Sequence, residues 1–148
     1  MGRSRYQKGS AMAQESFKEV ISTYQCGISY KPTNLEPDPL LVFPELSDKI
    51  VHTILPIKSL DISTQVQTSL EACGTNKTFI LVPGREFDKT GTRHGKGAGW
   101  YDRFLSAVPQ EWLRIGICYE SQMSHSPLVR ESWDEPMDYV CVVPLAHE

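Results

Sequence analysis

Four glycines and three cations crowd one short stretch of the chain. Gly91, Gly95, Gly97 and Gly99 fall within nine residues, interleaved with Arg93, His94 and Lys96. Glycine lets the backbone take positive φ and come close to a ligand, and cations beside such a backbone match a phosphate. The chemistry served is the binding of a phosphorylated ligand. Two elements must position the loop. Upstream, Phe79-Ile80-Leu81-Val82, closed by Pro83-Gly84, reads as a buried strand running into a turn. Downstream, Tyr101, Phe104, Leu105 and Val108 recur at i, i+3, i+4 and i+7, the apolar face of a helix that Pro109 ends. The first N–H groups of a helix lack internal partners, and its dipole favours negative charge there. Strand, basic glycine-rich loop and helix start together predict an anion site. The alternative is a solvated loop whose glycines only make turns.

The rest of the chain supplies the frame. At 148 residues the length implies one domain, able to bury about two thirds of its unfolded surface without a disulfide or metal staple. Residues 1–15 are expected to be a disordered tail and residues 16–148 a single α/β domain. A short helix over 16–23 and a strand over 24–30 come first. Pro32, Pro37, Pro39 and Pro44 make 31–44 an extended loop. A strand over 49–57 follows, with His52 as a packed or edge residue. Ile62, Val66 and Leu70 give 61–72 a narrow buried helical stripe. Trp112 to Tyr119 reads as a second buried strand, so 78–119 forms a βαβ crossover with a parallel pair. A polar loop over 120–135, containing Pro127 and at most one helical turn, leads to a last strand over 137–143. The predicted fold is a mostly parallel sheet flanked by helices, a Rossmann-like three-layer arrangement.

Composition narrows the partners. A net charge of −3 and a pI near 5.8 argue against a nucleic-acid protein. No apolar run reaches 18 residues, so no membrane span is expected. Cys26, Cys73, Cys118 and Cys141 are widely spaced with no C-x-x-C pair, which sets zinc and thioredoxin chemistry aside. Buried free thiols imply a reducing compartment, cytoplasmic or alternatively mitochondrial.

The loop fits neither common phosphate motif. Gly95-Lys96 is followed by Gly97 where a Walker A sequence has Ser or Thr. Gly95, Gly97 and Gly99 are spaced two and two, whereas the dinucleotide fingerprint needs two and three. The residues instead carry a longer pattern: Val82-Pro83-Gly84, Phe87-Asp88, Gly91-Thr92-Arg93, then Gly95-Lys96-Gly97-Ala98-Gly99-Trp100-Tyr101-Asp102-Arg103-Phe104-Leu105. Ile115-Gly116-Ile117 and Trp133-Asp134-Glu135-Pro136-Met137-Asp138 extend it. This run resembles the 5-formyltetrahydrofolate cyclo-ligase, or methenyltetrahydrofolate synthetase, family over roughly residues 78–143. Tyr30-x-Pro32 and Glu36-x-Asp38 echo a further family element. Relative to that family, the N-terminal half and the segment between Ile57 and Lys77 look shortened.

The resemblance implies a monomeric, ATP- and Mg²⁺-dependent ligase that converts 5-formyltetrahydrofolate to 5,10-methenyltetrahydrofolate through a phosphorylated formyl group. The alternative is a non-catalytic or diverged relative that binds a nucleotide, a folate or another phosphorylated ligand. It places Arg93, His94, Gly95, Lys96, Gly97, Ala98, Gly99, Trp100 and Tyr101 around the nucleotide phosphates. Arg93 and Lys96 become the catalytic candidates, because phosphoryl transfer rests on positioning and charge stabilisation. Glu36, Lys96, Gly97 and Trp100 would touch the folate, and Asp102 and Asp138 would hold the metal. Each residue also has a plainer role. Asp102 suits a first helical turn, Asp138 a turn before a strand, Tyr101 the core. His94 stands where the family usually has an apolar residue and is either a phosphate donor or an inert exposed ring.

Overall fold

Alternation along the strands sends side chains to both faces of one sheet. In the computed structural model, residues 11–33, 35–55, 61–95 and 99–145 are described. The elements run β1 (Ala11–Met12), α1 (Gln14–Ile21), β2 (Cys26–Tyr30), α2 (Pro39–Val42), β3 (Ile50–Ile54), α3 (Ile62–Cys73), β4 (Thr78–Val82), β5 (Glu86–Phe87), β6 (Arg93–His94), α4 (Trp100–Ala107), β7 (Leu113–Tyr119) and β8 (Tyr139–Val143). Six strands pair in the order β1-β8-β7-β4-β2-β3, every pair parallel. Phe79, Leu81, Leu113, Ile115 and Ile117 face α1 residues Phe17, Val20 and Ile21, together with Phe43 and Leu46. Ile80, Val82, Cys118 and Val140 face Phe104 and Leu105 of α4 and Cys73 of α3. A parallel sheet buried on both faces is the expected α/β arrangement, and β4 and β7 are the predicted parallel pair. All four cysteines are buried and free. Among the described residues no helix is long and apolar enough to cross a membrane.

Three local expectations change. The fold begins before residue 16: Ala11–Met12 pairs with Val140 and Cys141, and α1 starts at Gln14. A two-residue strand carries no period, and its partner lies far along the chain. The segment 31–44 is not wholly extended, since Pro39 opens a single helical turn capped by Asp38, whose carboxylate accepts the Leu40 N–H at 3.1 Å. Proline is tolerated at a helix's first position, and a 3₁₀ turn, Pro44–Asp48, follows. The glycine-rich loop contains a small antiparallel hairpin, β5 with β6. The helix expected over 61–72 is α3, capped by Asp61 on the Ser63 N–H, with Ile62, Val66 and Leu70 half-buried against the core. His52 lies on edge strand β3, its Nε2 2.9 Å from Gln65 Oε1.

Candidate active site

Strands β2 and β4 are neighbours, and the connection after β2 runs to β3 whereas the connection after β4 runs the opposite way to β7. Such a switch point opens a crevice at the carboxyl ends of the strands, where open α/β sheets bind ligands. Tyr30 ends β2 and leads to Glu36; Val82 ends β4 and leads to Pro83 and Gly84.

The loop beyond β4 is shaped by Asp88, which is only 2% exposed. Its Oδ1 accepts the Thr90 N–H at 2.9 Å, the Thr90 hydroxyl at 2.7 Å and the Thr92 N–H at 3.0 Å. Its Oδ2 accepts the Leu128 N–H at 2.7 Å, joining the turn to the long segment before β8. Desolvation pushes this carboxyl's pKa up, but the hydrogen bonds from Leu128, Thr90 and Thr92 outweigh it and leave the pKa below its ordinary value. Gly91, at φ 91°, makes the turn that an L side chain resists. The hairpin is seated by Phe87, whose ring covers Gly116 of β7 so closely that an added Cβ would lie 2.3 Å from Cε1.

This turn delivers Arg93 into the crevice. Its Nε donates to the Pro83 carbonyl, and its side chain passes between Gly84 and Gly95, where a Cβ would lie 3.1 Å and 2.7 Å from it. Its guanidinium carbon sits 5.0 Å from the Tyr101 ring centroid, a cation–π contact. Desolvation lowers the Arg93 pKa, opposed by Tyr101, Asp102, Glu36 and Asp134; an arginine remains charged regardless. Burial likewise raises the Tyr101 pKa, Arg93 lowering it and Glu36 adding to the rise, so this phenol is a neutral hydroxyl. Tyr30, also raised by burial and then by Glu36, donates to the Pro37 carbonyl at 2.8 Å. Glu36 is therefore within electrostatic reach of Arg93, Tyr101 and Tyr30, its Oε1 accepting the Thr33 N–H at 2.9 Å.

A carboxylate pair stands beside this cluster. Asp102, in the first turn of α4, lies beside Asp134 and accepts the Glu135 N–H at 3.0 Å. Desolvation raises its pKa; the Glu135 amide and Arg93 oppose the rise, and Asp134 reinforces it. Two carboxyls this close repel when both are charged, and a shared cation relieves the repulsion. Asp134, not Asp138, is thus the acid brought to Asp102. Asp138 lies at the start of β8, 4% exposed, its Oδ2 accepting the Arg114 N–H at 2.9 Å. The motif Trp133 to Asp138 offers two acids four residues apart, and only the path of the segment tells which one points to α4. Among the described residues no group of three or more His, Cys, Asp or Glu side chains gathers as a metal site.

The remaining predicted residues divide. Lys96, Gly97 and Ala98 lie outside the described residues. Gly99, at φ 70°, is the N-cap of α4 and supplies no side-chain cap. Trp100 is half-buried, stacked on Phe104 at 5.3 Å and edge-on to Tyr101 at 5.1 Å, so one ring face is already covered. His94 has a partner on another segment. Its Nε2 donates to the Val129 carbonyl at 2.7 Å and ties the hairpin to the segment before β8. Arg130, not foreseen, braces the same junction through Thr92 Oγ1 at 2.9 Å and the Thr90 carbonyl at 3.0 Å.

Comparison with known proteins shows the family. The model of the 5-formyltetrahydrofolate cyclo-ligase family matches residues 36–143. A 5-formyltetrahydrofolate cyclo-ligase of Saccharomyces cerevisiae is 43% identical over 70 residues, covering 43% of this chain and 32% of the relative. One from Mycoplasma genitalium is 36% identical over 61 residues, covering 41% and 36%. The matched segments thus span about a third of these relatives' length. The solution structure of Aquifex aeolicus 5,10-methenyltetrahydrofolate synthetase superposes with a TM-score of 0.53 at 27% identity, covering 86% of this chain and 71% of that one. The corresponding Mycoplasma pneumoniae synthetase gives 0.51 at 20% identity, over 79% and 72%, a likeness of fold.

Proposed function

The chain belongs to the 5-formyltetrahydrofolate cyclo-ligase family, and from that premise we propose that it closes 5-formyltetrahydrofolate to 5,10-methenyltetrahydrofolate at the expense of ATP. The observation that carries the reading is the convergence of Arg93, Tyr101, Glu36, Asp102 and Asp134 at the switch-point crevice. All five lie inside the matched region. A formamide oxygen is a poor leaving group. Transfer of the γ-phosphoryl group of ATP to it makes a good one, after which N10 attacks the formyl carbon and phosphate departs with the former formyl oxygen. ADP and phosphate are the other products.

The residues suit these steps. Arg93, held by the Pro83 carbonyl and the Tyr101 ring, is a preorganised charge for the equatorial phosphoryl oxygens. Tyr101, neutral through its buried setting, can donate a hydrogen bond without competing for the arginine's charge. Glu36, an acceptor on the opposite side of the crevice, matches the N–H groups of the folate ring. Lys96, Gly97 and the rest of the glycine-rich loop complete the phosphate cradle in this reading. Asp102 and Asp134 would hold Mg²⁺. Two carboxyls are a fitting protein contribution, because this ion takes one or two carboxylates and fills its remaining positions with water and phosphate oxygens. When bound, it neutralises charge on the transferring phosphoryl group. Action as a monomer in the cytoplasm, or alternatively in mitochondria, accompanies the proposal; four free, buried cysteines fit a reducing compartment.

Mixing the protein with 5-formyltetrahydrofolate and Mg-ATP should produce the absorbance of the methenyl product, dependent on all three components. Asp102→Ala should abolish it. Absence of product at protein concentrations comparable with substrate would refute catalysis by this chain. A thermal shift with ATP or folate but no turnover would make it a binding protein instead.

A further inference from the structure

We infer that Arg114 is a positioning residue that holds the Asp102–Asp134 pair in register, an inference that rests on the reading of that pair as the cation site. Arg114 lies in β7 and is 4% exposed. It touches both elements that carry the two carboxyls. Its Nη2 donates to the Leu105 carbonyl of α4 at 2.8 Å, and its Nη1 pairs with Glu135 Oε1. Its main chain completes the hold: the N–H donates to Asp138 Oδ2 at 2.9 Å, and the carbonyl accepts the Asp138 N–H at 2.8 Å. The segment 135–138 is thereby fixed at both ends to one residue. Glu135 then passes this placement on, because its backbone N–H donates to Asp102 Oδ1 at 3.0 Å.

Stability alone does not account for the arrangement. Nε of Arg114 is buried without a hydrogen-bond partner among the described residues. A desolvated ion pair with an unsatisfied donor gives little net stability, and an apolar pair of similar volume is often as stable or more so. What the guanidinium fork does supply is geometry. It joins α4 to the segment bearing Asp134 at fixed distance, which a flexible or apolar side chain cannot do. Groups that orient metal-binding carboxylates typically change metal affinity roughly 10–100-fold when removed.

The test pairs Arg114→Leu with Glu135→Leu, so that no buried charge is orphaned. Mn²⁺ binding is measured by electron paramagnetic resonance in the presence of a non-hydrolysable ATP analogue, alongside the melting temperature and the analogue's affinity in chelator. The expected result is a melting temperature within a few degrees of the unsubstituted protein and an unchanged metal-free nucleotide affinity. The Mn²⁺ dissociation constant should be raised about 10–100-fold. Unchanged Mn²⁺ affinity in a folded double variant overturns the inference. Should the double variant fail to fold, Arg114→Lys keeps the charge but not the fork. Weakened Mn²⁺ binding there supports the inference, and unweakened binding overturns it. Failure of the site reading itself looks different. The unsubstituted protein would then show no tightening of nucleotide binding by Mn²⁺, and Asp134→Asn would change nothing.

Discussion

Replacing Asp88 by Asn tests how firmly the turn before Arg93 is built. The carboxylate accepts four hydrogen bonds, three at Oδ1 and one at Oδ2, at 2% exposure. Asn keeps one oxygen. It can serve the Thr90–Thr92 turn or the Leu128 amide, and its NH₂ then faces an N–H donor at the other. The loss is one charge-assisted bond, about 1.5–3 kcal/mol, plus a buried donor left facing a donor, about 1–3 kcal/mol. Allowing for partial relaxation, destabilisation of roughly 2–4 kcal/mol follows, a drop of roughly 5–15 °C in melting temperature for a chain of this size. The pH dependence adds a second constraint. The folded-state pKa of Asp88 is depressed, so its contribution is fully present above the unfolded value near 3.9 and is lost as pH falls through the folded value. Once protonated, Asp88 has one donor like Asn. Denaturant unfolding of both proteins should show a constant gap above about pH 5 that narrows below about pH 4. A gap under about 1 kcal/mol at neutral pH, or one of equal size in acid, would refute the proposed role of the charge.

Further substitutions probe the scaffold and the cation site. Gly116→Ala would place a Cβ 2.3 Å from Phe87 Cε1, and overpacking of this kind costs about 1–3 kcal/mol. Denaturation should show that loss, with partial recovery when Phe87→Leu is added, and no recovery would contradict the seating of the hairpin on β7. Asp134→Asn should raise the Mg²⁺ concentration needed for half-maximal turnover by at least about tenfold with little change in melting temperature. Asp138→Asn should chiefly lower stability through the Arg114 amide, and should move the Mg²⁺ requirement much less than Asp134→Asn does, because Asp138 only helps hold the segment. A titration that assigned the metal dependence to Asp138 would overturn the geometry described above.

Much of the scaffold was legible because it repeats. The apolar runs Phe79–Val82 and Trp112–Tyr119, with the helical face between them, required a parallel βαβ unit, and β4, α4 and β7 are that unit. Motif order likewise placed Arg93 and Asp102 on one loop and one helix start. Short elements escaped: Ala11–Met12 has no pattern, and the turn at Pro39 reads as a helix breaker unless its position at the helix start is known. In the site, what the sequence left open shares one cause. Asp138 and Asp134 are equally good acids in sequence, and the choice depends on how the segment after β7 crosses α4. Arg114 was hidden inside an apolar strand, where nothing local announces that its guanidinium reaches Leu105 and Glu135. The partner of His94 is equally hidden, because Val129 lies 35 positions away.

The central proposal is that ATP activates the formyl oxygen for departure in the crevice between β2 and β4. The most direct measurement is the fate of that oxygen. 5-Formyltetrahydrofolate carrying an isotopically heavy formyl oxygen would be converted by the protein with Mg-ATP, and the phosphate released would be analysed by mass spectrometry. Phosphoryl transfer to the formyl group predicts that each phosphate carries one heavy oxygen, in step with methenyl product and ADP. Unlabelled phosphate with the heavy oxygen lost to water, or methenyl product formed without phosphate, would contradict it.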